Sequence, residues 1–298
     1  MKKFNMRRPL SHRIRTLCLI AAMLVIGGCN SVRLSYNHGD TLLYWWLNAY
    51  IGFEPDQKGR VNQDIDQLFQ WHRKTQLKDY VQLLTTGKKQ LQGNVTQSDL
   101  LANYSQIKGR THVLLLKALP ELAELARSLR PDQINQMEKK FTSNNNDYRK
   151  KFLRGDKEKR QQVRYQKSME QFELWFGNFS REQEDKIHAA SDARPLDNEI
   201  WFNERVRRQK KIIALLNKVR QEKLGKEETI GQIRNLVQEN FDRLENSEHK
   251  VFFDAYTNGT ADLVLAVIKL STPTQKAHAE KRMQGWIDDF NTLAGQVK

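Results

Sequence analysis

Few side chains here are equipped for covalent, acid–base or metal chemistry, and their spacing narrows what that chemistry is. The chain has two cysteines, Cys18 and Cys29, and seven histidines in 298 residues. A thiol can serve as nucleophile, metal ligand, half of a disulfide or acyl acceptor. Six histidines, His38, His72, His112, His188, His249 and His278, lie beyond Cys29. No two stand four apart, as the zinc-binding HExxH helix requires. No GxSxG, Walker or GxGxxG pattern occurs. Asp64 and Asp66 form a short acidic pair, but residues two apart on a helix face away from each other. Asp288-Asp289 is isolated, and carboxylates elsewhere are too common to single out a general acid or base. The polar stretch with the most functional character is Trp71-His72-Arg73. On a helix Trp71 can enter the core while His72 and Arg73 meet a neighbour. They would act there as a proton-responsive or anion-binding pair, or His72 would simply be half-buried and bonded to backbone.

Cys29 has the most specific surroundings. Lys2, Lys3, Arg7, Arg8, Arg13 and Arg15 precede it without an acid, followed by an apolar run of about eleven residues that ends in Gly27-Gly28. This is the charged and apolar order of an export signal. The run is too short to span a bilayer, which takes roughly 20 apolar residues. Ile26-Gly27-Gly28-Cys29 resembles the lipobox of bacterial lipoproteins. That resemblance implies cleavage before Cys29 and acylation of its thiol with palmitate-type chains. Two or three acyl chains anchor firmly where one binds marginally. Asn30 and Ser31 follow rather than Asp, which implies sorting to the outer membrane. Cys18 leaves with the signal and Cys29 is acylated, so thiol catalysis, thiolate metal sites and disulfides are all excluded from the mature chain.

Without residues 1–28, which hold six of the 50 Lys+Arg and none of the 35 Asp+Glu, 44 bases face 35 acids, a net charge of +9. The charge is well mixed, as on solvated helix faces. No nucleic-acid motif accompanies it, and none is expected as a partner. The acidic partners open to an exported protein are lipid phosphates, lipopolysaccharide and peptidoglycan carboxylates.

Proline is scarce, and runs rich in Lys, Glu, Gln, Leu and Arg predict helix throughout. The expected fold is all-α, a bundle of roughly 8–10 helices behind the signal peptide. Residues 1–28 are the signal, 29–190 an N-terminal helical part and 191–298 a C-terminal one, with Ser191–Pro195 as boundary; the two can also form one continuous domain. The first mature helix, from Asp40 to Tyr50, carries Tyr44, Trp45, Trp46 and Tyr50 and is apolar nearly all round. It either lies in a membrane interface, where Trp and Tyr are favoured, or is a core helix, and core is the expectation. Further helices are expected over 57–86, from Thr96 to Lys117, from Pro120, over 132–154 with a break at Asn144–Asn146, and over 197–224 with Gly225 as stop. Others follow over 226–256 and, after a turn at Thr257-Asn258-Gly259-Thr260, over 261–270 and 273–294. Tyr165, Met169, Phe172, Phe176 and Phe179 form a core stripe, and Ala261–Leu270 reads as a buried central helix.

Three helix starts look alike: Leu129–Ile134, Phe179–Glu184 and Ser271–Lys276. Each has Gln three residues after the cap, and Ser180/Gln183 and Thr272/Gln275 make capping boxes. Pro131 and Pro273 occupy first helical positions, where the missing N–H costs nothing. Capping explains all three. They also resemble the Leu-Thr-x-x-Gln signature of small helical periplasmic chaperones, with Arg130, Phe179 and Ser271 departing from it.

The stretches Gly27–Phe53, Trp71–Leu77 and Ser128–Ile134 together resemble a family of proteobacterial lipoproteins defined only by a domain of unknown function. The resemblance implies an exported helical lipoprotein and brings no activity or catalytic residues. The function expected is a non-catalytic binding or scaffold protein, tethered through Cys29 at the periplasmic face of the outer membrane. Its partners would be the membrane itself and envelope proteins or anionic envelope polymers. Trp45, Trp46, Trp71, His72 and Arg73 form a candidate motif that either binds a partner or is structural, with no cofactor, metal or catalytic residue assigned. The alternatives are a chaperone-like client binder and an envelope hydrolase without a recognisable motif.

Overall fold

The computed structural model describes residues 31–296. Cys29 and the signal segment lie outside them. The described residues form thirteen α-helices, one π-helical turn and no strand. In chain order these are α1 (Ser31–Asn37), α2 (Gly39–Ile51), α3 (Pro55–Thr75), α4 (Leu77–Gln92), α5 (Gln97–Lys117) and α6 (Leu119–Ser128). Then come α7 (Pro131–Tyr148), the π turn (Arg149–Leu153), α8 (Lys157–Phe176), α9 (Arg181–Asp192) and α10 (Asn198–Gln221). The chain ends with α11 (Lys226–Asp242), α12 (Lys250–Leu270) and α13 (Pro273–Gly295). The all-α reading holds, with more and shorter rods than the sequence suggested.

The finer division has local causes. The helix expected over 57–86 is two, because the chain bends at buried Gln76 so that Leu77 can enter the core. Asn144–Asn146 do not break α7. Asn144 donates to the Tyr50 hydroxyl at 2.8 Å, while Asn145 donates to Gln209 at 2.7 Å and accepts from Arg205 at 3.0 Å. These bonds reward a helical backbone there, and the irregularity moves on to the π turn. Thr257–Thr260 do not turn the chain either. α12 runs straight through them, and the real break comes earlier, between Asp242 and Lys250. Gly225 is not a stop but the first cap of α11, and Lys223 takes the positive φ of 51° that ends α10.

Two apolar clusters hold the rods. One gathers Ile51, Phe53, Val61, Ile65, Ile134 and Leu216 from α2, α3, α7 and α10. The other gathers Leu91, Met169, Phe176, Ile187, Leu263 and Val267 from α4, α8, α9 and α12, and includes the expected stripe. Residues on both sides of Ser191–Pro195 enter each cluster.

Two pairs of helix starts meet, the first buried and the second half-buried. In α3 and α7 the N3 glutamines Gln57 and Gln133 accept from the backbone N–H of Glu54 and Arg130 at 3.1 and 2.9 Å. Their amides then exchange bonds with each other at 3.2 and 2.7 Å. Each also caps the helix preceding the other: Gln57 donates to Ser128 O and Gln133 to Gly52 O, both at 3.0 Å. The same arrangement recurs between α9 and α13. Gln183 and Gln275 exchange bonds at 2.9 and 3.1 Å and donate to Leu270 O and Asn178 O, each at 2.7 Å.

Replacing Gln133, 2% exposed, by Leu strands the Arg130 N–H, the Gly52 carbonyl and half of the Gln57 amide. At ~1–3 kcal/mol per buried group left unpaired, partly relieved by relaxation, the expected loss is about 2–4 kcal/mol in urea unfolding. Gln57→Leu combined with Gln133→Leu should cost clearly less than the sum of the two single changes, because both break one network.

Candidate functional site

The aromatic helix near the start is not a core helix. α2 packs on α3 and α7 through Leu43, Tyr44, Leu47, Tyr50 and Ile51. Its other side, where the described residues place no helix, leaves Leu42, Trp45 and Trp46 51%, 63% and 56% exposed. Leu34 on α1 is 62% exposed. The inward ring set is thus Tyr44 and Tyr50, whose rings meet those of Phe53 and Phe141 at a tilt, with centres 5.6 and 5.7 Å apart. Trp46 is braced from outside by Tyr50 at 4.9 Å.

His72 and Arg73 converge on α1. The Tyr36 hydroxyl lies 2.6 Å from His72 Nδ1. Burial pushes the Tyr36 hydroxyl up to about 12, against a lowering by Arg73. Burial also lowers His72 from its ordinary value near 6.5. Tyrosine therefore keeps its proton and histidine is neutral at pH 7, so the hydroxyl donates to the unprotonated ring nitrogen. The Arg73 guanidinium sits 5.2 Å from the Tyr36 ring centre and donates to Asn37 Oδ1 at 3.2 Å. Phe69 meets Tyr36 edge-on at 5.5 Å. Gly39 makes room for that ring, since a Cβ there would stand 2.7 Å from it. Tyr36, His72 and Arg73 thus form a latch that holds α1 to α3, and Trp71 does not join it. Trp71 is half-buried, with its ring 6.4 Å from that of His72.

Under the latch lies a cavity of about 730 Å³. Its walls are chiefly hydrocarbon: Leu43, Leu68, Leu77, Leu114, Trp286 and Phe290, with Val32, Tyr36 and Gly39 from the N-terminal helices. Its polar atoms come mainly from Tyr36, Tyr80, His72 and Arg282. The Arg282 guanidinium lies 5.6 Å from the Trp175 ring centre, and its Nε is buried without a partner. No carboxylate lines this space. Asp64 faces Arg60 at 3.7 Å and Asp66 is exposed, so neither supplies His72 with the acid a hydrolytic pair needs. Among the described residues no three His, Cys, Asp or Glu side chains converge as a metal-binding set. What the geometry can do is hold an apolar group while offering it two or three hydrogen-bonding atoms.

Sequence reasoning found His72 and Arg73 but not what they hold. Tyr36, Arg282, Trp286 and Phe290 carry no local signal, and Tyr36 reaches His72 across 36 residues of chain.

The latch has a pH signature. His72 binds a proton less readily folded than unfolded, so the unfolded chain takes up more protons between pH 6.5 and the lower folded value. Stability should fall as pH drops through that window and be retained above it. Thermal melts at pH 7 and pH 5 should differ for the wild type, and His72→Gln should shrink the difference. Tyr36→Phe should cost about 1–2 kcal/mol at pH 7 by leaving the ring nitrogen unpaired.

Comparison with known proteins gives a family and no activity. No curated protein and no solved structure matches the chain. A family model described as a family of unknown function, DUF6279, matches residues 49–244. That span runs from the end of α2 to just past α11 and includes the Gln57–Gln133 pair, Trp71, His72 and Arg73. With well over half of its length matched, the chain belongs to the family of unknown function DUF6279.

Proposed function

We propose that this is a membrane-tethered, non-catalytic binding protein, exported, cleaved before Cys29 and acylated there. It stands at the periplasmic face of the outer membrane with its N-terminal helices against the lipid. The observation that carries this reading is the exposure of Leu34 on α1 and of Leu42, Trp45 and Trp46 along one side of α2. It begins five residues after Cys29, on the only part of the body that a lipid on that sulfur must keep at the bilayer surface. Exposed Trp and Leu side by side are costly in water and stable in the headgroup zone, where an indole buries its rings and keeps its N–H wet. The acyl chains alone anchor the chain, and the aromatic contact would add to that by holding the N-terminal helices against the surface.

The cavity beneath the latch is the binding site in this reading, and an apolar portion of an envelope partner is its occupant. A chaperone reading has less support. Gln133, Gln183 and Gln275 of the Leu-Thr-x-x-Gln-like starts are consumed in capping and in one another, and one cation, Arg282, lines the cavity.

Cells grown in radiolabelled palmitate should incorporate label into the protein, and Cys29→Ser should abolish it. Absence of label on the wild type overturns the tether. In vesicles containing bromine-labelled lipid, emission of the anchored protein should be quenched, and quenched less in the Trp45→Ser/Trp46→Ser variant. Equal quenching of the two would remove the aromatic face from the membrane.

A further inference from the structure

A second cavity, of about 570 Å³, opens between the π turn, α8, the α9–α10 connection, α10 and α12. Six cationic side chains line it: Arg160, Arg164, Lys167, Arg194, Arg205 and Arg208. A single carboxylate, Asp197, lines it with them, and its Oδ1 is committed to the Ile200 N–H as the cap of α10. Arg160 pairs with Glu199 at 2.8 Å and Lys167 with Glu170. Among the described residues Arg164, Arg194, Arg205 and Arg208 make no ion pair. The Asp192 charge acts on Arg164 and Arg194 from outside the cleft lining, without a direct ion pair, and one of its oxygens lies 3.6 Å from His188.

These guanidiniums are held in place. Arg194 is 6% exposed and donates to the carbonyl and hydroxyl of Ser191 and to the Ser168 hydroxyl. Gly259 lets α12 pass its stem, for a Cβ there would lie 3.2 Å from Arg194 Cγ. Arg164 donates to the carbonyls of Ser191, Arg194 and Pro195 at 3.0, 3.2 and 2.6 Å. Arg205 is fixed by Asn145 and lies 5.8 Å from the Tyr148 ring centre. Yet Nε of both Arg160 and Arg164 is buried with no acceptor. Two buried N–H donors without acceptors beside a net positive lining favour an anion that could complete them. Oriented, partly desolvated guanidiniums match a phosphate, whose several oxygens take paired N–H groups and whose charge is close to two at neutral pH.

The cleft also has an apolar neighbour. A pocket of about 320 Å³ lined by Leu100, Leu101, Tyr104 and Ile107 shares Trp201, Tyr256, Thr260 and Val264 with it. Those four side chains alone stand on both surfaces. Tyr104 and Ile107 are half exposed at the far pocket, as an entrance for hydrocarbon would leave them.

We propose that the arginine cleft binds the phosphate head of an anionic amphiphile whose hydrocarbon chain lies beyond Trp201 and Tyr256 in the adjoining apolar pocket. The site is separate from the cavity under His72 and does not depend on the tether at Cys29. The head chemistry is shared by lipid phosphates and free phosphate, and the chain is what separates them.

The test uses the full chain kept in solution by a nonionic maltoside and titrated calorimetrically with dihexanoyl phosphatidic acid, dihexanoyl phosphatidylcholine and inorganic phosphate. Phosphatidic acid should bind at least about tenfold more tightly than either of the others. Arg205→Gln/Arg208→Gln, two changes at the more accessible side of the cleft, should weaken it by about tenfold or more with an unchanged helical melt. Ile107→Asp should weaken phosphatidic acid while leaving phosphate as it was. Equal binding of phosphate and phosphatidic acid overturns an amphiphile site. Equal binding of the two lipids, or indifference to the arginine changes, overturns the cleft as the place of binding.

Discussion

Four helix starts that face one another in pairs, one pair buried and one half-buried, set the constraint on which the bundle depends. A helix begins with backbone N–H groups that have no partner within it, and in water this costs little. Inside a core each such group must be met by a side chain. At Gln57, Gln133, Gln183 and Gln275 one side chain does three things. Its oxygen accepts from its own cap N–H and from the amide opposite, and its nitrogen donates to that amide and to the end of another helix. Only a primary amide has this inventory: glutamate cannot donate, and a hydrocarbon can do neither. The pairing also fixes direction. Each glutamine satisfies the carboxyl end of the helix that precedes its partner, so two helix–turn–helix corners interlock, α2–α3 with α6–α7 and α8–α9 with α12–α13. A fully satisfied buried network of this kind specifies one packing where apolar contacts alone would allow several.

The sequence revealed half of this device. Gln133, Gln183 and Gln275 stood out as capping residues because capping is local, with Ser180 and Thr272 three positions away. The fourth start, Phe53-Glu54-Pro55-Asp56-Gln57, repeats the Pro-Asp-Gln of Pro131-Asp132-Gln133, and that repeat was a usable signal. That the glutamines meet in pairs was not legible, because 76 and 92 residues separate the partners. Helix type was legible almost everywhere, since it rests on short-range composition. Boundaries failed where a long-range bond decided them. Three asparagines in a row read as a break, yet Asn144 and Asn145 hold α7 straight by bonding Tyr50, Gln209 and Arg205. Gly259 read as part of a turn, yet it lies in mid-helix because Arg194 needs the space.

The same distinction governs the candidate sites. His72 and Arg73 drew notice from residue type, and they do touch something of interest. What they touch is Tyr36 on a seven-residue helix, too short to persist alone. α1 is kept by contacts from outside itself: the hydroxyl–imidazole bond, the guanidinium over the ring, and Arg33 4.0 Å from buried Asp289 of α13. Trp45 and Trp46 were expected inside because an all-round apolar helix has to be covered. The rule about covering stands, but coverage need not come from the same chain. α2 buries Leu43, Leu47 and Ile51 and presents its tryptophans outward.

Charge shows the limit of composition most clearly. Spread over the chain, a modest basic excess reads as ordinary solvated helix faces, and most of the bases do behave that way. Arg207 and Lys211 pair with Glu239, Lys186 with Glu182 and Lys250 with Asp254. Glu204, 4% exposed, shows what burying charge demands here: Arg207 and Arg243 both reach it, at 2.8 and 3.0 Å. Burial raises its carboxyl, but those two hydrogen bonds prevail and hold it below its ordinary range. On the same helix Arg205 makes no ion pair, and Arg208, one turn beyond Glu204, feels that carboxylate's charge without a direct contact. They face Arg164 and Arg194 across a cleft whose one acid already caps a helix. Glu204 receives two counter-charges, whereas buried Arg194 and half-buried Arg164 and Arg205 receive carbonyl, hydroxyl and amide acceptors but no direct ion pair, which leaves the cleft with a net positive charge that a bound anion can neutralise.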